Sequence, residues 1–210
     1  MIDFLKERIL LFVVVIAGDW VSLSNLIKAD EIRHDAITIA IVFSLLPSII
    51  ISLLVEFYFH RKVKKNKLVI GTAVFATFFW TSFIFFYIHF SSVNDQYGKV
   101  PYPAKVSGMN SVDSMIVGGC HYTTEAQAEV DNYSARKRTL TPSELFEDFN
   151  YDVSQIWTEE ERDCARNKIL YSFAVMLAFL IAGITLTAET IITLRGSVSA
   201  TKQGNKKKTL

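Results

Sequence analysis

Residues 169–194 read ILYSFAVMLAFLIAGITLTAETIITL, an apolar run interrupted by one charged side chain, Glu189. Three more apolar runs occupy residues 9–27, 36–59 and 68–90. A helix rises about 1.5 Å per residue, so each run can cross a hydrocarbon core of about 30 Å. Helices satisfy their backbone hydrogen bonds internally, as hydrocarbon requires. The sequence therefore predicts an all-α integral membrane protein with a four-helix transmembrane bundle.

The distribution of basic residues predicts the orientation of these spans. Lysine and arginine cluster before the first run, between runs two and three (residues 61–67), and after the fourth run (residues 195–208). Residues 91–168 instead hold eight bases and thirteen acids. Short basic segments stay in the cytoplasm. We therefore expect spans 1–3 within residues 1–90, an extracytoplasmic domain at 91–168, span 4 at 169–194 and a basic cytoplasmic tail at 195–210. The predicted location is the plasma membrane, which in bacteria is the inner membrane. The protein would cross it several times and have both termini in the cytoplasm.

The basic segments are interpreted as determinants of topology, in preference to a specific lipid or protein site. A net charge of +1 gives no indication of nucleic-acid binding. The first run could also be a signal peptide, because Lys6 and Arg8 precede it. That alternative is disfavoured because the run continues past Asp19 to Ile27 and the numbering begins at Met1.

The chain has two cysteines, Cys120 and Cys164, and both lie in the predicted extracytoplasmic domain. An even pair outside the cytoplasm is most simply one disulfide. The alternative is thiol redox chemistry, as in four-span oxidoreductases that feed quinones. Such chemistry uses a C-x-x-C pair, in which the neighbouring thiol lowers the attacking pKa, and the chain has none. A disulfide-braced domain is therefore predicted.

Capping signals predict that this domain is small and mostly helical. Thr141-Pro-Ser-Glu144 predicts a helix with Leu145, Phe149, Val153 and Ile156 on one face, and Thr158-Glu-Glu-Glu161 predicts a helix running unbroken into span 4. Thr124-Glu-Ala-Gln127 is a weaker start, and residues 100–119 read as irregular or as short strands. An apolar face around Phe149 and Trp157 is expected at the membrane interface. Asn132-Tyr-Ser134 matches the glycosylation pattern, which is common by chance.

Acidic side chains inside the predicted spans are the buried polar candidates. They are Asp19, near the middle of span 1, and Glu56 and Glu189, near the ends of spans 2 and 4. Ionisable groups at membrane depth are costly and often functional. One interpretation is a polar track from Asp19 to Glu189 that moves a proton or senses an ion. The favoured one is interhelical hydrogen bonding to hydroxyl groups, the candidates being Ser44, Ser48, Thr72 and Thr77.

Small residues on span 4 predict a helix-packing seam. Ala174, Ala178 and Ala182 share one helical face with Thr185 and Glu189, and small side chains allow helices to approach closely. Glu189 is therefore expected to point into the bundle or into a partner.

No catalytic motif accompanies these features. The chain has no Gly-rich phosphate loop, no H-E-x-x-H and no G-x-S-x-G, and its four histidines are scattered. No enzyme activity, cofactor or metal is expected. The outline of four spans with a large, disulfide-bonded second outer loop is similar to that of tetraspanins. Their Cys-Cys-Gly motif is replaced by Gly118-Gly119-Cys120, so no family follows.

Three hypotheses about function remain. The first is a non-enzymatic membrane protein whose outer domain binds another membrane protein or a toxin, as an immunity, exclusion or accessory subunit does. The second is a homo-oligomeric subunit that conducts ions or protons past Asp19 and Glu189. The third is a membrane redox protein that uses Cys120 and Cys164.

Overall fold

The protein, represented by a computed structural model, is mostly helical. The structure describes residues 26–27, 29–55, 65–102, 114–136 and 142–206. The elements along these residues are helices α1 (Asp30–Leu53) and α2 (Lys65–Tyr97), strands β1 (Val100–Tyr102) and β2 (Ser114–Ile116), and helices α3 (Thr124–Ala135), α4 (Pro142–Asp148), α5 (Val153–Ile156) and α6 (Glu159–Lys206).

Two of the described helices contain segments long and apolar enough to cross a membrane. These segments are Lys67–Tyr97 in α2 and Glu159–Leu194 in α6. They contain the predicted spans 68–90 and 169–194. Helix α1 covers residues 36–53 of the predicted second span, and residues 9–25 of the predicted first span lie outside the described residues.

The prediction that one helix runs from Thr158 into span 4 is confirmed. Helix α6 is continuous from Glu159 to Lys206, and the Thr158 hydroxyl accepts a hydrogen bond from the Glu161 backbone N–H at 3.3 Å. This is the capping bond that satisfies an N–H group left free in the first turn. Three glutamates in that turn also complement the positive end of the helix dipole.

The chain divides into two compact units, which we call unit 1 (Met1–Ile39 and Phe90–Phe173) and unit 2 (Ala40–His89 and Ala174–Leu210). Unit 1 contains the hairpin, in which β1 pairs antiparallel with β2 and Val100 faces Ile116. Its core cluster combines the hairpin with the short helices through Ala126, Leu145, Phe146, Ile156 and Trp157. The reading of residues 100–119 as irregular or as short strands is thus confirmed, and this two-stranded sheet is an exception to the otherwise helical fold.

The predicted helix across residues 142–156 is wrong in length. Helix α4 ends at Asp148, and Asn150 and Tyr151 have φ of 51° and 64°, a left-handed conformation that ends a helix. The Asp152 carboxylate then accepts a hydrogen bond from the Ser154 N–H and starts α5. This break lets Leu145 and Ile156 enter the same core from two short helices.

Two smaller expectations in unit 1 are also corrected. The N-cap of α3 is Thr123, whose hydroxyl accepts from the Ala126 N–H, so the helix signal was misplaced by one residue. Trp157 is 5% exposed and belongs to the core of unit 1, so it does not form an outward apolar face. Its indole stacks on Tyr122 and meets Phe146 edge-on.

Unit 2 contains parts of α1, α2 and α6, and its side-chain contacts fix the direction of each. Ser48 meets Thr185 and Ser52 meets Glu189, so α1 runs parallel to α6. Thr72 meets Thr190 while Phe86 stacks on Phe179, so α2 runs antiparallel to α6. Ala40, His89 and Ala174 therefore lie at one end of unit 2. The opposite end holds Val55, Lys65 and the C-terminal part of α6.

The outward surface of unit 2 is strongly apolar. Large side chains on α2 are more than half exposed, among them Phe85 at 67% and Ile70 at 65%. Helix α1 exposes Leu46, Ile50 and Leu54 in the same way. An apolar surface of this extent is unusual for a protein in water and suits contact with lipid or with another apolar surface.

Candidate functional site

The predicted disulfide between Cys120 and Cys164 is present in unit 1. Its two Cα atoms are 6.0 Å apart, within the usual range for such bonds. The Cys120 backbone N–H also donates to the Glu161 carbonyl at 3.0 Å. The disulfide and this hydrogen bond both attach the chain after the β-hairpin to the first turns of α6.

A second attachment joins the start of α1 to the same part of α6. Glu31 accepts the Val117 N–H on one carboxylate oxygen at 2.6 Å and an Arg162 Nη2 hydrogen on the other at 2.8 Å. The Arg162 Nε–H points to the Val117 carbonyl at 3.4 Å. Both side chains are under a third exposed, and bonds between charged partners are the stronger class. Glu31 and Arg162 therefore form a closed network with the Val117 peptide.

Apolar residues just before α1 and in its first two turns are buried in unit 1. Ile27, Ala29, Ile32 and Ala36 are each 0% exposed. The Leu26 carbonyl accepts a hydrogen bond from the Asn94 side chain at 3.0 Å, and Asn94 is itself 3% exposed. The short connection that the sequence placed between spans 1 and 2 is therefore a structural component of unit 1.

Glu161 also faces the histidine that follows Cys120. Its carboxylate accepts the His121 backbone N–H at 3.0 Å and lies 3.0 Å from the His121 Nδ1. Among the described residues, Cys120, Glu161 and Cys164 are close enough together to be compared with a metal site. Because the two sulfur atoms are bonded to each other, neither offers the thiolate that a metal requires.

Two side chains of unit 1, the exposed Asp152 and the half-buried Tyr133, have shifted pKa values. Hydrogen bonds from the Ser154 side chain and backbone, followed by one from Gln155, lower the pKa of Asp152 below its ordinary value. Desolvation, together with the nearby Asp148 carboxylate, raises the pKa of Tyr133. Both groups lie in the helical part of unit 1, away from the disulfide in sequence.

Unit 2 contains a set of interhelical contacts between polar side chains. Glu189 is 2% exposed, and one of its carboxyl oxygens accepts a hydrogen bond from the Ser52 hydroxyl at 3.2 Å. One turn away along both helices, the Thr185 hydroxyl lies 3.4 Å from that of Ser48. Burial of Glu189 agrees with the expectation that it faces a helix interface. The partner differs, because Ser52 was not among the predicted hydroxyl groups.

The small residues of α6 have mixed surroundings. Ala174 and Ala182 are buried, whereas Ala178 is half-buried. Ala178 and Ala182 border an apolar cavity of about 440 Å³ that also touches Pro47 and Phe79. A closer approach occurs at Gly183, where the Trp80 indole would lie 3.5 Å from an added Cβ and its N–H donates to Thr187 at 3.2 Å.

The other predicted acidic residues, Asp19 and Glu56, lie outside the described residues. The polar track from Asp19 to Glu189 therefore stays a prediction. Sequence reasoning missed Glu31, Arg162 and Asn94. In the sequence Glu31 and Arg162 look like ordinary charged residues of a loop and a helix. They are 131 residues apart, so nothing local shows that they pair with each other. Asn94 offered a weak signal, being an amide at the polar end of a long apolar helix.

No protein-family model, curated protein or solved structure matches this chain. Any function therefore has to be argued from the residues themselves.

Proposed function

We propose that this chain is a four-span membrane protein in which the part of unit 1 within residues 91–168 is an extracytoplasmic, non-enzymatic binding module for another membrane protein or a toxin. The observation that carries the proposal is the bracing of unit 1. The disulfide, the Glu31–Arg162 network and the Asn94–Leu26 bond join separate chain segments. Binding surfaces that are rigid before association lose less entropy on binding.

The membrane location is supported by the two long apolar helices and by the apolar surface of unit 2. The parallel direction of α1 and α6 agrees with both crossing the membrane in the same sense. The basic segments 61–67 and 195–208 then follow the same end of unit 2, as expected for cytoplasmic segments. The disulfide suits the oxidising side of the membrane.

The test is crosslinking in native membranes followed by affinity purification under non-reducing conditions. Wild type is compared with the double variant C120S/C164S, which loosens unit 1, and with S48A, which alters a contact in unit 2. The proposal predicts one partner captured by wild type and S48A and lost in the cysteine variant. Capture of the same partner by all three proteins would place binding elsewhere, and self-crosslinks alone would contradict it.

A second candidate function is an oligomeric conductor of ions or protons, for which the burial of Glu189 is the favouring observation. The test is flux through liposomes containing the wild type, E189Q and D19N/E189Q. Equal flux in all three removes this candidate. Loss of flux in E189Q with an unchanged melting temperature supports it. The hydrogen bond from Ser52 is the reason we rank it second, because paired polar groups commonly stabilise helix interfaces.

A further inference from the structure

Gly71 in α2 occupies a position that packing does not explain. Apart from its own chain neighbours and the nearby backbone of α2, no atom of the described residues lies within 4 Å of the position where a Cβ at Gly71 would stand. Glycine destabilises a helix interior relative to alanine, and in membrane helices it usually permits a close helix contact. Gly183 fits that use, since Trp80 packs against it. At Gly71 the space is open.

The open space belongs to a groove between α1, α2 and α6. It has a volume of about 320 Å³ and is lined mainly by apolar side chains, including Ile51, Leu54, Phe75 and Leu186. Thr72 also lines it, but its hydroxyl donates to the Leu68 carbonyl at 3.0 Å and accepts from Thr190 at 2.9 Å. Lys67 is the charged side chain at this groove.

This groove adjoins the apolar cavity of about 440 Å³ described above, because Ile51 and Phe79 border both. Together the two follow α1 from Val42 to Val55, which corresponds to about 20 Å at 1.5 Å per residue. One leaflet of the hydrocarbon core is about 15 Å thick, half of the roughly 30 Å total. The two adjoining cavities together are therefore long enough for a single acyl chain.

The charge at the groove indicates the kind of lipid. Lys67 is exposed at the start of α2, and Arg61, Lys62, Lys64 and Lys65 precede it in the sequence. Basic residues of this density attract anionic head groups at the cytoplasmic surface. Apolar lining along the groove and a lysine at its charged end match the two parts of an anionic phospholipid.

We propose that the groove between α1, α2 and α6 binds one acyl chain of an anionic phospholipid, whose phosphate group contacts Lys67. Gly71 keeps the groove open. The inference rests on the proposed membrane location of unit 2. It gives the 61–67 segment a role beyond fixing topology.

The test is native mass spectrometry of the full-length protein in detergent, with equal amounts of dioleoylphosphatidylglycerol and dioleoylphosphatidylcholine. Wild type is expected to retain one phosphatidylglycerol. The variant G71L fills the groove and should lose this lipid, whereas the matched control G71A should keep it. K67Q should retain lipid with about fivefold lower preference for phosphatidylglycerol, the ratio given by ~1 kcal/mol for one base.

Equal lipid retention by G71L and G71A, or an unchanged head-group preference in K67Q, would overturn the proposal. If G71L unfolds, K67Q decides the question alone, because Lys67 is exposed and its replacement leaves the apolar lining intact. Failure of the membrane proposal has a different signature. In that case the wild-type protein is extracted from membranes by alkaline carbonate without detergent.

Discussion

Ser52 and Glu189 give the most direct energetic test of the contacts in unit 2. Their hydrogen bond is 3.2 Å long and partly buried, whereas the Ser48–Thr185 contact is 3.4 Å long and joins two neutral hydroxyl groups. Interhelical hydrogen bonds in membranes average about 0.6 kcal/mol and reach ~1.7 kcal/mol. We expect S52A to lower the free energy of unfolding by an amount within that range, and S48A to lower it by less. Thermal unfolding in detergent measures both, and a larger cost for S48A would contradict the assignment.

Gly71, Gly119 and Gly183 differ in how much space surrounds them. Replacing each with alanine should therefore change the free energy of unfolding by different amounts. An added Cβ at Gly119 would overlap the Trp157 side chain, with the Trp157 Cβ 2.9 Å away. Overpacking of this kind costs about 1–3 kcal/mol, so G119A should destabilise unit 1. G71A adds a methyl group to open space and should stabilise α2 by up to ~1 kcal/mol. At Gly183 an added Cβ would make an ordinary contact with Trp80, so the change in unfolding free energy for G183A should lie between those for G119A and G71A. Chemical unfolding measures all three.

Asp152 should make unit 1 sensitive to acid. Its pKa is lowered in the folded protein by bonds from Ser154 and Gln155, so the native state favours the carboxylate. The resulting stabilisation is complete above the ordinary pKa of 3.8 and disappears as the pH falls through the lower folded value. We therefore expect wild type to melt above D152A at pH 7 and the difference to shrink as the pH falls below 3.8. A difference that grows on acidification would contradict this assignment.

The side-chain predictions succeeded where local periodicity carries the information. Spacing along α6 places Glu189 on an interface, and its exposure of 2% agrees. The same spacing cannot say which residue of α1 lies opposite, because the axial position of two helices depends on everything between them. Ser48 and Ser52 are one turn apart, and the structure pairs Glu189 with the second.

Among the secondary-structure elements, α6 begins where its capping signal predicts. Thr158 and the glutamates after it predicted a helix start, and the helix begins at Glu159. The segment 142–156 had an equally regular apolar spacing but forms two short helices. Asn150 and Tyr151 adopt positive φ there, and the turn that they form lets Phe146 and Trp157 meet in one core. Tertiary packing overrode the local pattern.

The disulfide should stabilise unit 1 more than any single hydrogen bond in it. Its cysteines are 44 residues apart, and the chain-entropy model gives about 4 kcal/mol for a loop of that length. We expect the variant C120S/C164S to lower the melting temperature of unit 1, and a reductant to do the same to wild type. Adding the reductant to the variant should change nothing. Equal melting temperatures for variant and wild type would leave a redox role as the better explanation of the two cysteines.

For the molecule as a whole, labelling of single cysteines tests the proposed topology. In the C120S/C164S background, Gln127→Cys lies on an exposed position of α3 and Lys67→Cys lies at the start of α2. A membrane-impermeant maleimide should label Gln127→Cys in intact cells. It should reach Lys67→Cys only after permeabilisation. Labelling of both positions in intact cells would refute the orientation.

Because unit 1 is assembled from two separate stretches of chain, it has an order of assembly. Ile27, Ala29 and Ile32 are made early, whereas Asn94, Val117 and Arg162, which bond to the neighbouring Leu26 and Glu31, are added by the ribosome much later. Contacts between distant residues form slowly, since the intervening chain must first be closed into a loop. During synthesis this part of unit 1 therefore stays incomplete until Arg162 has been added. Truncated chains that end before Arg162 should be recognised and degraded as unfinished.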